Sequence, residues 1–362
     1  MEPVQTEVRR LHSLTGLRWV AAMAVLGFHL AVGVNFHNKG ANRVLGDIFG
    51  SGYTGVSLFF LLSGLVLTWS AKPNDTSRRF YRRRFARIVP NNTVATIIAC
   101  LLSITVTTIV VQPGPLIAQL LLVQAWFPSV RYYYGVSIVT WSLSCEMTFY
   151  LLFPLIFGKV ASLTLRTRRA LLVGVLVALA CYTALASAIG VRPLTLWAVG
   201  YFPLARAAEF VIGILLGLEL KSGTWPRLPF AAVLLLTGAA YAWAWRAPVI
   251  LGRAALTVVP FALLLGALAQ RELAGRRSWL SHRWVVALGD RSYALYLLHV
   301  LILLALLRVS TPRTFAGALV LTGGLVVASL FASHLLFVLV ERPAQRLLGP
   351  KRQTLPARRY PA

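Results

Sequence analysis

Apolar and polar positions divide the chain into ten apolar runs, at about 14–34, 52–71, 88–111, 136–157, 170–190, 194–219, 229–245, 249–269, 284–308 and 315–340. A helix of about 20 residues crosses a hydrocarbon layer, and an even number of crossings leaves both termini on one side. The pattern predicts an all-α polytopic membrane protein with about ten transmembrane helices. The apolar stretch from Leu116 to Trp126 is too short to cross and suits a re-entrant or interfacial helix.

Basic residues orient these runs. Arg9 and Arg10 precede the first, and Lys72 to Arg87 form a dense stretch in the second loop. The fourth loop holds Lys159, Arg166, Arg168 and Arg169, and the eighth holds Arg271, Arg276, Arg277 and Arg283. The odd-numbered loops are sparse, with Lys39 and Arg43 in the first and Arg131, Arg192 and Arg246 in later ones. Positive charge collects on the cytoplasmic side, so both termini are assigned there.

The net charge of +26 is then topological, and no nucleic-acid partner is expected. With 58% hydrophobic and 13% charged residues, the 362-residue chain is not an ordinary soluble globule. Its partner is the lipid bilayer. One membrane domain is expected over 1–345, followed by a basic cytoplasmic tail over 346–362 that can touch anionic lipid. The N-terminus lacks a signal-peptide cleavage pattern and is expected to stay. Cys100, Cys145 and Cys181 form no C-x-x-C pair, so neither a disulfide framework nor a metal site is expected.

Chemistry enters with the first run, which carries Arg18 near its start and His29 near its end. Eleven residues of α-helix make three turns plus roughly 20°, which puts both side chains on one face about 16 Å apart. Ionisable groups within an apolar span rarely face lipid, so the stripe is read as the wall of a catalytic tunnel. In a plainer reading, Arg18 snorkels to the interface and His29 bonds a neighbouring helix.

The chain has ten acidic residues, and Glu146, Glu209, Asp290 and Glu341 fall within or at the ends of runs. Glu209 follows Arg206 by one turn, so an intrahelical ion pair accounts for both. Structural pairing likewise suits Asp290 and Glu341 as well as catalysis does. Glu146, in WSLSCEMTFYLLFP, has no basic residue within a turn and falls near mid-membrane, at a depth similar to His29. It could orient that imidazole as a general base, or bond Trp141, Ser142 or backbone; Trp141 and Ser142 are candidate pocket residues.

In RRFYRRRFARIVP, Arg84 and Arg87 are placed to hold phosphate oxygens, though positive-inside topology also accounts for them, as it does for Arg78, Arg79 and Arg82. Ser63 and Gly64 in the second run allow close helix approach or admit a bound chain. With no G-x-S-x-G elbow, Ser63 is not expected to act as a nucleophile. His299 is either a second polar wall of an acceptor site or a satisfied interhelical histidine. His334 is read as structural.

These pieces together resemble the acyltransferase 3 family of membrane O-acyltransferases. The matching segments are Arg18-x10-His29, FFLLSGLVL, Arg84-x-x-Arg87 before IVP, WSLSCEMTFYLLFP, SYALYLLH and VERPAQRL, in the family's order. The SLTGLRW opening resembles the actinobacterial branch that includes macrolide acyltransferases. The resemblance implies a ten-helix core, acyl-CoA as donor and no metal. It also implies transfer of a short acyl group to a hydroxyl of a sugar, glycan or natural product such as a macrolide, in a bacterial plasma membrane.

By position, His29 resembles the family's base and Arg18 its motif partner. Arg84 and Arg87 resemble the donor-binding pair, and Glu146 the acidic position. Asn91 and Asn92 depart from the family pattern, where aromatic or aliphatic residues are commoner, so the start of the third run is expected to be shaped differently. Leu65 stands where Phe is common.

Two other classes also place charges in a ten-helix bundle. A transporter or flippase is one, but no inverted repeat is visible in the two halves. A noncatalytic scaffold is the other, and it leaves the Arg18 and His29 stripe unexplained.

Overall fold

The computed structural model describes residues 10–33, 39–72, 75–105, 111–309 and 314–349. Among these residues, every regular element is helical. The first half holds α1 (His12–Gly33), α2 (Lys39–Phe49), α3 (Gly55–Ser70), α4 (Ser77–Thr105), α5 (Pro113–Leu120), α6 (Val130–Tyr133), α7 (Trp141–Ser162) and α8 (Leu165–Ile189). The second half holds α9 (Pro193–Gly200), α10 (Pro203–Ser222), α11 (Phe230–Ala244), α12 (Val249–Ala254), α13 (Val258–Leu273), α14 (Arg283–Asp290), α15 (Ser292–Val309), α16 (Phe315–Leu336) and α17 (Arg342–Leu348). Arg9 and the tail residues from 350 onward lie outside the described residues, and α17 carries the helical chain past the expected boundary at 345.

Polar contacts sort the loops into two ends. At one end Arg10 pairs with Asp290, Arg83 with Asp75 and Arg169 with Glu219, while Lys221 donates to the Ala71 carbonyl. At the other end Arg246 pairs with Asp47, Tyr53 donates to the Ala244 carbonyl and Trp197 to the Ala125 carbonyl. The ends alternate along the chain as ten passages require, and the basic even-numbered loops share the first end, here the cytoplasmic one.

Among the described residues, eight helical segments are long and apolar enough to cross a membrane. The other two expected passages are shorter helices. Run 229–245 is the 15-residue α11, and run 249–269 divides into α12 and α13. Pro260, in the first turn of α13, has no N–H to continue an incoming helix, and Pro203 at the start of α10 divides the sixth run in the same way. The ninth run also divides, into α14 and α15. The first outer loop contains α2, a helix not foreseen from the apolar runs; its Phe49 ring fills the space where a Cβ on Gly27 of α1 would fall.

α1 is central, packing against α2, α3, α13, α14 and α15. Two close approaches fix its inner half: a Cβ on Gly16 would fall 2.0 Å from the Leu280 carbonyl oxygen, and one on Gly289 would fall 1.9 Å from that of Thr15. Its first N–H groups are capped from another helix. The Glu272 carboxylate accepts from the His12 N–H at 2.7 Å and the Ser13 N–H at 2.8 Å, and also from the Ser13 hydroxyl. Burial pushes this carboxyl up, but the hydrogen bonds prevail and hold it below its ordinary value.

α4 begins well before residue 88, so the arginines expected in a loop are helical, and Pro90 lies in its interior. Asn91 and Asn92, both fully buried, follow that proline. Asn92 donates to the Gln119 carbonyl at 3.0 Å, and the Gln119 side chain donates to Thr96 at 2.8 Å. The Gln119 side-chain oxygen accepts from the Val136 and Ser137 N–H groups at 3.2 Å each. These bonds draw α5 down along α4 in the re-entrant form, one of the two expected for the short apolar stretch Leu116–Trp126. The chain turns back at Leu122, whose φ is 60°, and returns to the outer end at Ala125.

Replacing Gln119 with Leu strands the Val136 and Ser137 backbone donors and removes the donor to Thr96. The expected cost is about 2 kcal/mol, read as a lower unfolding temperature of the detergent-solubilised protein.

Candidate active site

Three cavities lie in series along α1. A cytoplasmic vestibule of about 740 Å³ is bordered by Arg10, Arg18, Lys72, Arg87, Asp290 and Glu341. A constriction of about 40 Å³ lies beyond it, with Arg18, Phe59, Glu146, Ser142, Tyr293 and Tyr296 in its wall. An outer chamber of about 420 Å³ follows, into which His29, Tyr53, Trp141, Tyr201, Arg206 and Trp245 project. Arg18 borders both vestibule and constriction, while Val56 and Tyr296 border both constriction and chamber. The helical spacing of Arg18 and His29 therefore places them at successive stations of one passage.

The vestibule has cationic groups to spare. Arg10 is paired with Asp290, and Glu341 is engaged by the side chains of Asn91 at 3.1 Å and Gln345 at 3.0 Å. Neither Arg18 nor Arg87 forms an ion pair within 4.0 Å among the described residues. Arg87 lies over the Tyr293 ring at 5.7 Å, and the Arg18 Nε is buried without a hydrogen-bond partner. Glu341 is aimed here by a π-helical turn, Phe337–Glu341, a local irregularity frequent at functional sites. At the constriction the buried Tyr293 hydroxyl is also without a partner. Such orphaned polar groups suit a ligand with both charge and amides.

The R-x-x-R pair divides its work. Arg87 borders the vestibule, whereas Arg84 packs its guanidinium against Phe80 at 5.5 Å and Tyr150 at 5.7 Å. The Tyr150 hydroxyl in turn donates to Glu146.

Of the two readings of Glu146, contact with His29 is not found among the described residues. Glu146 is in the constriction wall with Arg18, its carboxylate bonded to Tyr150 one turn along α7, while His29 is one cavity further out. His29 instead has its Nδ1 at 2.9 Å from the Val25 carbonyl oxygen and at 3.1 Å from Nε2 of His299, a residue 1% exposed on α15. His299 stands behind the base candidate rather than in the chamber wall. The sequence placed it in the outer half of its run but carries no signal of which helix it faces.

Trp141 borders the chamber, edge-on to Tyr201 at 4.9 Å. Ser142 is in the constriction wall and bonds the Tyr296 hydroxyl at 2.8 Å. Ser63 borders none of the three cavities. Its neighbour Gly64 instead marks the close crossing of α3 and α10.

Arg206 and Glu209 form the expected ion pair at 3.1 Å, both buried. Beyond that expectation, Arg206 donates to Ser57 at 2.9 Å and its guanidinium borders the chamber. The sequence signal for this second role is weak, since an i, i+3 pair explains both charges without a cavity.

The acyltransferase family described as an acyltransferase domain matches residues 11–338. Acyltransferase MdmB of Streptomyces mycarofaciens is 36% identical over 367 residues, covering 95% of this chain and 94% of that protein. Peptidoglycan O-acetyltransferase OatA of Listeria monocytogenes serovar 1/2a is 30% identical over 159 residues, 39% of this chain and 23% of that one. No solved structure matches. With the motifs arrayed along one membrane passage and the family matched over nearly the whole of this chain, the chain belongs to the acyltransferase 3 family of membrane acyltransferases.

Proposed function

We propose that this acyltransferase moves a short acyl group from acyl-CoA to a hydroxyl of a sugar, glycan or natural product such as a macrolide, in a bacterial plasma membrane. The observation that supports the reading is the passage itself. Unpaired guanidinium groups stand at its cytoplasmic mouth, a constriction too narrow for a sugar follows, and an aromatic chamber holding His29 lies beyond.

In this reading Arg87, with Arg84 braced beneath it and Arg18 further in, binds the donor's phosphates. Arg18 and the Tyr293 hydroxyl hold the linear pantetheine arm in the constriction. The acceptor occupies the outer chamber, whose tyrosine and tryptophan rings offer flat apolar faces with polar edges. His29 takes the proton of the acceptor hydroxyl as its oxygen attacks the thioester carbonyl. The C–S bond breaks as the ester forms, and the proton passes from His29 to the departing thiolate. Glu146 acts at the constriction as counter-charge to Arg18. His29 supplies the base, so the scheme calls for no metal.

Coenzyme A release tests the reading. Purified protein given acetyl-CoA and a fractionated pool of hydroxylated cell extract is expected to release coenzyme A only in the presence of an acceptor fraction, with an acylated product visible by mass spectrometry. No release from acetyl-, propionyl- or longer acyl-CoA by folded protein would sink it and favour transport.

Arg87→Gln and Arg84→Gln separate the two arginines. Arg87→Gln is expected to raise KM for acetyl-CoA about tenfold by losing one charge-assisted contact. Arg84→Gln should raise it less and lower the unfolding temperature more, since Arg84 packs on rings outside the vestibule wall. Equal KM effects would contradict the division.

A further inference from the structure

We infer that His299 is the positioning residue of the active site, a neutral acceptor that holds the Nδ1–H of His29 and leaves the His29 Nε2 as the basic nitrogen. The inference rests on the reading of His29 as the base.

Four atoms carry it. Two backbone carbonyl oxygens, which only accept, each face an imidazole Nδ1: Val25 O at 2.9 Å from His29 and Leu295 O at 3.2 Å from His299. Each contact is a hydrogen bond only if that Nδ1 carries the proton. With His299 protonated at Nδ1, its neutral ring has a lone pair on Nε2, and that lone pair lies 3.1 Å from the His29 Nδ1. Donor and acceptor then match at every contact with both rings neutral. The opposite assignment of either ring leaves a carbonyl facing a lone pair.

The His29 Nδ1–H is therefore shared between Val25 O and His299 Nε2. The remaining nitrogen, Nε2, has no partner among the described residues, on a ring that borders the chamber.

The two acceptors are not equivalent in the reaction. Val25 O already accepts from the backbone of its own helix, whereas the His299 lone pair has no competing donor among the described residues. When the His29 Nε2 takes the acceptor proton, the ring becomes an imidazolium and its Nδ1–H a stronger donor, so the bond to His299 tightens as charge develops. An aspartate fills this place in hydrolytic triads. Here a histidine 1% exposed does so with no charge of its own. The ring is edge-on to His29 at 5.0 Å and next to Tyr296 at 5.9 Å, so packing fixes its orientation.

Two variants and a spectrum test this, with acetyl-CoA as donor and the extract fraction that supports release in the unaltered protein. His299→Phe removes the acceptor while keeping a flat apolar ring, and is expected to lower kcat roughly 10- to 100-fold with KM for acetyl-CoA changed less than about twofold. His299→Gln can place its side-chain oxygen where Nε2 was, and should keep kcat within about fivefold. In histidine labelled with ¹⁵N, the His299 Nε2 should give the signal of an unprotonated ring nitrogen, scalar-coupled to the His29 Nδ1 across the hydrogen bond.

A protonated His299 Nε2, unchanged kcat in His299→Phe, or a Gln variant as impaired as the Phe variant would each overturn the inference. Should His299→Phe fail to fold, the Gln variant and the spectrum still decide. His29→Ala, assayed alongside, isolates the underlying reading: full turnover there removes His29 as base, while the nitrogen signals of the unaltered protein still report on the pairing of the two rings.

Discussion

His29→Ala is expected to lower turnover by a factor of roughly 10² to 10⁴ while leaving a folded protein of near-normal abundance. The ring is half-buried at a chamber wall and, among the described residues, makes its polar contacts through one nitrogen, to Val25 O and His299. Its loss leaves Val25 O bonded within the helix and costs the His299 Nε2 one donor, about 1–3 kcal/mol in a membrane domain whose packing is otherwise untouched. Donor binding should persist, because the vestibule arginines lie at the far end of the passage. The check combines unfolding temperature, acetyl-CoA affinity by calorimetry and coenzyme A release in the same preparation. A variant that binds acetyl-CoA, unfolds near the usual temperature and no longer releases coenzyme A with acceptor fits a base acting at the chemical step. One that turns over normally removes His29 from the chemistry.

Much of the passage was legible in the chain because it is written along single helices. Arg18 and His29 share a face through helical geometry alone, and Arg206 and Glu209 meet one turn apart for the same reason. The apolar runs likewise gave the passages, apart from the sixth and eighth, which prolines divide, and the ninth. What lay between helices was not legible. Glu146 and His29 were paired on an expected similar depth; the structure instead bonds Glu146 to Tyr150 on its own helix and sets it beside Arg18, one cavity inward of His29.

His299 lies 270 residues from His29, and nothing in either helix states that the two rings meet. Asn91 and Asn92 stood out in the sequence only as a departure from a family pattern. Their buried amides tie Glu341 and the re-entrant segment to α4, a function that exists only once three helices are assembled. Arg84 and Arg87 have equal standing in an R-x-x-R motif, and the ring of Tyr150 is what separates them.

The chamber also depends on a crossing with no polar chemistry. Where α3 meets α10, a Cβ on Gly64 would fall 2.1 Å from the Phe210 carbonyl oxygen and 2.8 Å from the Ile214 nitrogen, and one on Gly213 would fall 2.1 Å from the Leu61 carbonyl oxygen. Gly217, one turn on, faces the Thr68 side chain at 2.8 Å, so Gly213 and Gly217 form a small-x-x-x-small face into which α3 settles. The obstructions at Gly64 and Gly213 are backbone atoms, which no change of rotamer can move aside. Gly64→Val must push the two helices apart along their contact, and the cost is expected to exceed about 3 kcal/mol, beyond ordinary overpacking.

The same separation would pull Ser57 on α3 away from Arg206 on α10, breaking the 2.9 Å bond beside the chamber. Stability and turnover should therefore fall together, with the detergent-solubilised variant eluting as aggregate or unfolding well below the unaltered protein. Gly323→Ala on α16 is the matched control, because nothing lies within 4 Å of its added Cβ. Better helix propensity should leave it as stable or more so, by up to about 1 kcal/mol. Equal tolerance of the two substitutions would mean that α3 and α10 do not approach so closely, and that the chamber wall beside Arg206 is set by something other than their contact.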